Sequence, residues 1–141
     1  MNVPVLLLGG LALAVAAAPA TPTPAKNSPL LKPLPLSAAC QKAGYTALQD
    51  AAGTVRVLRY VRTVPDNTQR LTQYYDAAGH LQSLKVTASG FVGLLYSLSA
   101  RIDSAGNVVG ETGFRSRFFT ASLKSVILDV APIRAGHCGP E

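Results

Sequence analysis

The two residues of this sequence that are best suited to catalysis are His80 and Asp76, which stand four positions apart. A carboxylate that orients a histidine is the usual beginning of a general base, and a Ser or Thr hydroxyl nearby would complete a hydrolase-like centre. The same Asp recurs at positions 50 and 103, but the residues four positions later are Thr54 and Asn107. A repeated Asp without a repeated His indicates a structural role, so we predict no enzymatic activity and keep a small hydrolase-like enzyme around His80 and Asp76 as an alternative.

Other motifs for catalysis or metal binding are absent from the sequence. It has no Gly-x-Ser-x-Gly elbow, no His-Glu-x-x-His pattern and no phosphate-binding loop. Two histidines and two cysteines are too few for a typical zinc site. Calcium takes about six to eight oxygen ligands, whereas each of the three Asp segments offers one carboxylate. We therefore expect neither a metal nor a cofactor.

The basic residues of the sequence favour binding to an anionic partner. Thirteen Lys and Arg against seven Asp and Glu leave a formal net charge of +6, which attracts polyanions. If the predicted strands align their polar faces, a positive stripe results, made of Arg56, Tyr60, Arg62, Lys85, Arg101, Arg115 and Arg117. Such a stripe suits nucleic acid or an anionic glycan or cell-wall polymer. The alternative is that these charges only keep exposed strands soluble and protect sheet edges.

The elements that would hold these residues are indicated by an Asp-x-Ala-Gly segment that occurs three times. Its aspartates are 26 and then 27 residues apart, and each copy lies between β-prone runs. Asp at the start of a type I turn accepts backbone N–H groups, and Gly adopts the left-handed conformation that follows. We predict three hairpins with structural turns at Asp50, Gly53, Asp76, Gly79, Asp103 and Gly106.

Alternating apolar and polar residues predict the strands themselves. In the first long strand, the pattern puts Val55, Val57 and Val61 on one face and Arg56, Tyr60 and Arg62 on the other. The segment Leu123 to Val130 fits both a helical stripe and a strand, and its β-branched residues favour the strand. The sequence thus predicts a mostly β fold, an antiparallel meander of about seven strands that forms an open curved sheet or a small barrel, with a short N-terminal helix capped by Ser37.

The second turn also carries a resemblance to a known family. Residues 75 to 81 read Tyr-Asp-Ala-Ala-Gly-His-Leu, which resembles the Tyr-Asp-x-x-Gly-Arg-Leu core of the YD repeat of rearrangement-hotspot and teneurin-like surface proteins. The first copy departs from this pattern at Gln49 and Thr54, and the third at Ile102 and Asn107. The resemblance implies β-hairpin units of a secreted or surface-attached protein, and three short units are too few to enclose a shell.

The ends of the chain predict its domain organisation. Residues 1–20 combine an uncharged apolar run with a small-residue site, which predicts a signal peptide cleaved after Ala20; an uncleaved membrane anchor is the alternative. Residues 21–36 are rich in proline and predict a linker without regular structure, and residues 37–141 form the β-meander domain. Cys40 and Cys138 bracket this domain, and in an exported protein such a pair predicts one disulfide.

The functional prediction combines these observations. We expect an exported, non-catalytic β-meander module with a binding or structural role, located outside the cell, in the periplasm or in the cell envelope. The sequence does not identify its ligand or partner; the candidates are an anionic polymer or envelope component, or a protein that pairs with an exposed edge strand. A membrane enters only if the N-terminal segment stays uncleaved.

Overall fold

The structure is a computed structural model that describes residues 28–138, so the predicted signal peptide and the first part of the linker lie outside the described residues. Within them, seven strands form a single antiparallel sheet whose spatial order is the order of the sequence. The first and last strands do not pair, so the sheet is open rather than a barrel. The predicted mostly β, meandering fold is confirmed.

The elements follow one another through short connections. The strands are β1 (Lys32–Pro33), β2 (Tyr45–Gln49), β3 (Val55–Val64), β4 (Asn67–Tyr75), β5 (Leu81–Gly90), β6 (Gly93–Ile102) and β7 (Val108–Arg115). The helices are α1 (Ala38–Lys42), a 3-10 helix (Leu123–Val126) and α2 (Val130–Arg134). Ser37 caps α1 by accepting the N–H of Cys40 at 3.2 Å, and Asp129 caps α2 by accepting the N–H of Ala131 at 3.1 Å.

The three Asp turns lie at one end of the sheet, which we call the Asp end, because each follows an even-numbered strand of the meander. In the third turn the carboxylate of Asp103 accepts the N–H groups of Ala105 at 3.0 Å and Asn107 at 2.8 Å. Gly106 takes the left-handed conformation, with φ +81°. The turns at Asp50 and Asp76 repeat the same bonds, so one local arrangement closes all three hairpins.

The opposite end of the sheet, which we call the tip end, carries the turns of the β3–β4 and β5–β6 hairpins. Phe91 and Val92 are the two central residues of the β5–β6 turn, where Gly90 pairs with Gly93. The N–H of Phe91 donates to the carbonyl oxygen of Asp66 at 3.2 Å, so the two neighbouring turns are joined through their backbones. A Cβ at Gly90 would collide with Asp66 and Asn67, so this close approach requires glycine.

The two faces of the sheet differ in what covers them. Directly paired residues share a face, and one row of pairs, all at most 5% exposed, consists of Ala47, Leu58, Gln73, Leu84 and Ala100. This core face packs against the segment that follows β7, including Leu123, which is 2% exposed, and against α1 and α2. The other, which we call the open face, has no element packed over it among the described residues.

The disulfide between Cys40 and Cys138 is confirmed. It joins α1 to the residues that follow α2, with a Cα–Cα distance of 4.8 Å and a sequence separation of 98. Both cysteines are buried beside Ile133, so the link lies within the smaller part of the core, where α1 and α2 pack against the β2–β3 region.

Two elements differ from the sequence-based expectation. The predicted strand at Leu123 to Val130 is wrong: the segment begins with a 3-10 helix capped by Ser122 and ends at the start of α2. The segment crosses the core face, and side chains such as Ile127 pack against the core cluster of the sheet. The burial of these side chains outweighs the strand propensity of the segment. The seventh strand is instead β1, inside the segment predicted to lack regular structure. Pro33 is tolerated because it pairs at a sheet edge, opposite Leu48.

Candidate functional site

The open face is the candidate site. Hydroxyl groups and cations make up its central row, and apolar and aromatic side chains stand among them in the rows on either side. Its central row, read across the sheet from β2 to β7, consists of Thr46, Arg59, Thr72, Lys85, Ser99 and Thr112. The row nearer the Asp end consists of Leu48, Val57, Tyr74, Ser83, Arg101 and Val109. The row nearer the tip end consists of Val61, Arg70, Thr87, Ser97 and Phe114.

Four cations stand on this face, one on each of strands β3 to β6. They are Arg59, Arg70, Lys85 and Arg101, and all four are exposed. Arg70, Lys85 and Arg101 occupy successive strands and successive rows, so they form a diagonal across the sheet. Diagonal neighbours on adjacent strands are about 7–8 Å apart. The charges are therefore arranged as a line rather than as a cluster around one point.

No carboxylate offsets these charges on the open face of the described sheet. The strands contain one acidic residue, Glu111, whose carboxylate lies 2.9 Å from Nη2 of Arg115. Arg115 pairs with the buried Tyr96 and so belongs to the core face. Among residues 28–138, none of the four open-face cations takes part in an ion pair. Their charge is available to a ligand in solution.

Aromatic and apolar side chains border the diagonal of cations. Tyr74 lies in the same row as Arg101 and is 42% exposed, and Phe114 lies in the same row as Arg70 and is 49% exposed. Exposed rings of this kind offer a flat apolar surface beside the charges. The open face thus combines cations, hydroxyl groups and two accessible rings.

The predicted positive stripe divides between the two faces. Lys85 and Arg101 lie on the open face, as a shared stripe requires. Tyr60, Arg62 and Arg115 lie on the core face: Tyr60 pairs with the buried Leu71 and stacks on Tyr45, with ring centroids 4.5 Å apart, and Arg62 and Arg115 belong to the row of Tyr96.

The other two members of the predicted stripe are engaged locally. Arg56 lies at an irregularity in the β2–β3 pairing, where its Nη1 is 3.4 Å from Oδ2 of Asp50 and its Nε donates to the carbonyl of Tyr75 at 3.0 Å. Arg117 follows β7 and lies over the ring of Phe118, at 4.8 Å from the centroid.

Sequence reasoning left Arg59, Arg70 and Tyr74 out of the candidate set. The prediction put Arg56, Tyr60 and Arg62 on one face, but the pairing shifts next to Arg56, and an extra residue reverses the alternation beyond it. The signal that could have found Arg59 is its spacing from Lys85, which is 26 residues, like that between the first two turn aspartates.

A second concavity lies at the Asp end, around the His80 and Asp76 pair. It is a cleft of about 710 Å³ between the second and third Asp turns and the segment before α2, and it also contains Ser104 and Asp129. Nδ1 of His80 is 3.5 Å from Oδ2 of Asp76, but the imidazole is 78% exposed. In the described chain no hydrogen bond joins His80 to a Ser or Thr hydroxyl. The cleft therefore brings His80, its carboxylate partner Asp76 and the hydroxyl of Ser104 to one concavity, without a hydrogen bond between His80 and Ser104.

Hydrogen bonds within the turns at the Asp end lower the pKa values of the three turn aspartates. The backbone N–H of His80 has the largest effect on Asp76 and lowers its pKa. Desolvation raises this pKa, but the N–H of Ala78 and the charge of His80 also lower it, so the pKa lies below its ordinary value. The N–H of Asn107 in the same way lowers the pKa of Asp103. Partial desolvation raises the pKa of Asp50, but Thr54, Arg56 and Ala52 together lower it by more. The carboxylates are held ionised by their own turns. Residues 28–138 contain no group of three or more His, Cys, Asp or Glu able to hold a metal ion.

Comparison with protein-family models, with curated proteins and with solved structures finds no significant match to this chain. The resemblance of residues 75 to 81 to a YD unit stays a prediction. None of the helices between residues 28 and 138 has the length and apolar character needed to cross a bilayer.

Proposed function

We propose that the protein is a non-catalytic binding module that holds an extended anionic polymer across the open face of its sheet. The observation that carries this proposal is the presence of four exposed cations, on four consecutive strands, on a face without a carboxylate or a covering element in the described chain. Burying the core face has left the other face of the sheet available. A face retained only for solubility would be expected to mix both signs of charge.

An extended polymer fits this surface better than a small anion. Along the diagonal of Arg70, Lys85 and Arg101 the neighbouring strand positions are about 7–8 Å apart, so the line of cations matches a chain of repeated anions better than a single phosphate or carboxylate group. Hydroxyl groups alternate with the cations in the central row, where Lys85 stands between Thr72 and Ser99. Side-chain hydroxyls can donate to the oxygens of a phosphate, sulfate or carboxylate polymer between its contacts with the cations.

The proposal places the protein outside the cytoplasm, and the disulfide supports this location. The two cysteines form one buried disulfide, and disulfides of this structural kind persist in oxidising compartments. The polymers present there include acidic glycans and cell-wall polymers, as well as released nucleic acid. These polymers all carry repeated anionic groups on an extended chain. The open face would bind these groups without recognising a particular base or sugar.

The experiment that tests the proposal compares two variants of equal net charge. The first removes three open-face cations by Arg59→Gln, Lys85→Gln and Arg101→Gln. The second removes three cations elsewhere, by Arg62→Gln, Arg117→Gln and Lys124→Gln. Binding to heparin, single-stranded DNA and a polyuronate is measured at low salt, and disulfide-bonded folding is checked by circular dichroism.

We expect the open-face variant to bind all three polymers much more weakly and the control variant to retain most of its affinity. Equal losses in both variants would show that binding follows net charge alone, which contradicts a defined site. Retention of binding by the open-face variant would also contradict the proposal. Tighter binding to one of the three probes would show which class of polymer, sulfated glycan, nucleic acid or polyuronate, the protein prefers.

A further inference from the structure

Three of the four most exposed large apolar side chains among residues 28–138 lie at the tip end of the sheet. Phe91 is 96% exposed and Val92 is 81% exposed at the centre of the β5–β6 turn, and Leu94 is 52% exposed at the start of β6. Phe118, which follows β7 at the same end, is 78% exposed. We call these four side chains the tip patch. Single exposed apolar residues are ordinary, but an apolar group gathered at one end of a sheet marks an interaction site.

The tip patch is built on a rigid base. The N–H of Phe91 donates to the carbonyl of Asp66, which joins the β5–β6 turn to the β3–β4 turn, and Gly90 permits their close approach. Gly93, with φ +96°, takes the left-handed position after Phe91 and Val92. The turn therefore holds the two side chains away from the core instead of folding them onto it, and the surface is convex.

Two cations and one carboxylate lie at the tip end beside the tip patch. Arg117 lies over the ring of Phe118, and Arg62 lies near the end of β3 that leads into the β3–β4 turn. Asp66 is the acidic residue of this end in the described chain, whereas three aspartates stand in the turns of the opposite end. The exposed rings and branched side chains of the tip patch are thus flanked by the guanidinium groups of Arg117 and Arg62, with Asp66 as the carboxylate of the same end.

We infer that the tip end docks on an anionic lipid surface, with the tip patch inserted at the boundary between head groups and acyl chains. Aromatic and branched apolar side chains next to arginines are the combination that favours this boundary, because the rings leave water while the guanidinium groups meet lipid phosphates. A protein groove would have to match a narrow convex turn, and it would gain nothing from the surrounding positive charge unless it were acidic. Charge complementarity and convexity together favour the bilayer. This inference is independent of the open-face proposal, since it involves different residues.

The test uses the absence of tryptophan from the sequence. In the full chain, Phe91→Trp places one fluorescent reporter in the tip patch, and Ala105→Trp places the same reporter in the third Asp turn as a matched control. Vesicles of phosphatidylcholine alone, or with phosphatidylglycerol, carry brominated acyl chains that quench a nearby indole. A local reporter distinguishes insertion of the tip from any attachment through the apolar N-terminal residues.

We expect quenching and a blue shift for Phe91→Trp with the anionic vesicles, and neither change for Ala105→Trp. The double variant Phe91→Ser and Val92→Ser should weaken vesicle binding by about tenfold or more, as judged by co-sedimentation. An indole at position 91 that stays unquenched on anionic vesicles overturns the inference. So does dimerisation in lipid-free solution that the double variant abolishes, because the tip patch would then belong to a second copy of this chain.

The open-face variant separates this inference from the proposed function. A chain with Arg59→Gln, Lys85→Gln and Arg101→Gln should still show quenching at position 91, because these residues stand on the open face and not at the tip end. Loss of polymer binding with retained quenching supports both proposals. Loss of quenching in this variant would show that net charge, rather than the tip patch, holds the protein on the vesicles.

Discussion

The side-chain amide of Gln73 pairs with the backbone of Leu128 in both directions. The N–H of Leu128 donates to Oε1 of Gln73 at 2.7 Å, and Nε2 of Gln73 donates to the carbonyl of Leu128 at 2.9 Å. Gln73 is fully buried in the middle of the core face, and its Nε2 also donates to the hydroxyl of Tyr75. The amide supplies the pairing that a neighbouring strand would give, and so it fixes the segment between the 3-10 helix and α2 on the sheet.

Replacement of Gln73 by Leu is predicted to destabilise the protein by about 1–3 kcal/mol. The apolar side chain leaves the N–H and C=O of the half-buried Leu128 without their partners, and unpaired polar groups that are shielded from water carry most of the cost of a broken hydrogen bond. Chemical unfolding of the oxidised protein measures the change. Gln82→Ala is the matched control, because Gln82 is exposed and donates only to Asp76 at 3.1 Å, and its effect should stay within about 0.5 kcal/mol. Equal effects of the two substitutions would contradict the role assigned to Gln73.

Acid is predicted to destabilise the fold through the three Asp turns. The pKa values of Asp50, Asp76 and Asp103 are all lower in the folded chain than the ordinary value of 3.8. A lowered carboxyl pKa contributes stability that is fully present above pH 3.8 and is lost as the pH falls through the folded value. The free energy of unfolding, measured from pH 6 down to about pH 2, should therefore decrease below about pH 4.

The Asp turns also allow this pH effect to be assigned to individual carboxylates. Asp103→Asn keeps an oxygen that can accept the N–H groups of Ala105 and Asn107, but it removes the titrating group. We expect it to be more stable than Asp103→Ala at neutral pH and to show a shallower loss of stability in acid than the unsubstituted chain. An acid profile that does not change in Asp103→Asn would remove this turn from the explanation.

Reduction of the disulfide is predicted to cost about 4–5 kcal/mol of stability. The bond between Cys40 and Cys138 closes a loop with a sequence separation of 98, and the chain-entropy model gives about this value for a loop of that size. Urea unfolding with and without a reductant measures it, and the Cys40→Ala and Cys138→Ala double variant serves as a thiol-free comparison. A difference below about 1 kcal/mol would show that the packing of Ile133 and its neighbours holds the two ends together without the bond.

Salt is predicted to weaken polymer binding in proportion to the number of open-face cations engaged. For single-stranded DNA, each phosphate contact contributes about 0.7 to the slope of log K against log salt. Removing Arg59, Lys85 and Arg101 should therefore reduce the magnitude of this slope by about 2, which titration at several salt concentrations measures. The variant that lacks Arg62, Arg117 and Lys124 should keep the original slope. A slope that is the same in all three proteins would contradict direct contact at the open face.

The parts of the fold that the sequence predicts well are those set by local chemistry. Asp103 and Gly106 identify a turn because a short carboxylate and a residue tolerant of positive φ are both needed within four positions. The pairing of Cys40 with Cys138 follows because the chain has only two cysteines. Hairpins joined by short turns then leave a meander as the simplest order of strands.

What the sequence does not predict depends on tertiary context. The segment that begins at Leu123 has the composition of a strand, but it lies over the core face instead of beside a free edge, so burial decides its conformation. The side of the sheet that carries Arg59 depends on a shift of pairing next to Arg56, which has no marker in the sequence. Gln73 resembles any polar strand residue until its partner, Leu128, is known to lie above it.

Because the seven strands follow one another in the order of the sequence, strands could be added and the sheet made wider. Each strand contacts only its neighbours in the chain, and two successive turn aspartates are separated by 26 or 27 residues. Copying one hairpin in frame, for example the residues that include β5 and β6, would widen the sheet by about 10 Å, because each strand adds about 4.8 Å. Such duplication would add a further Lys85 and Arg101 to the array while leaving α1 and the disulfide at its far side. The reach of the protein along its ligand could thus be changed in steps of one hairpin.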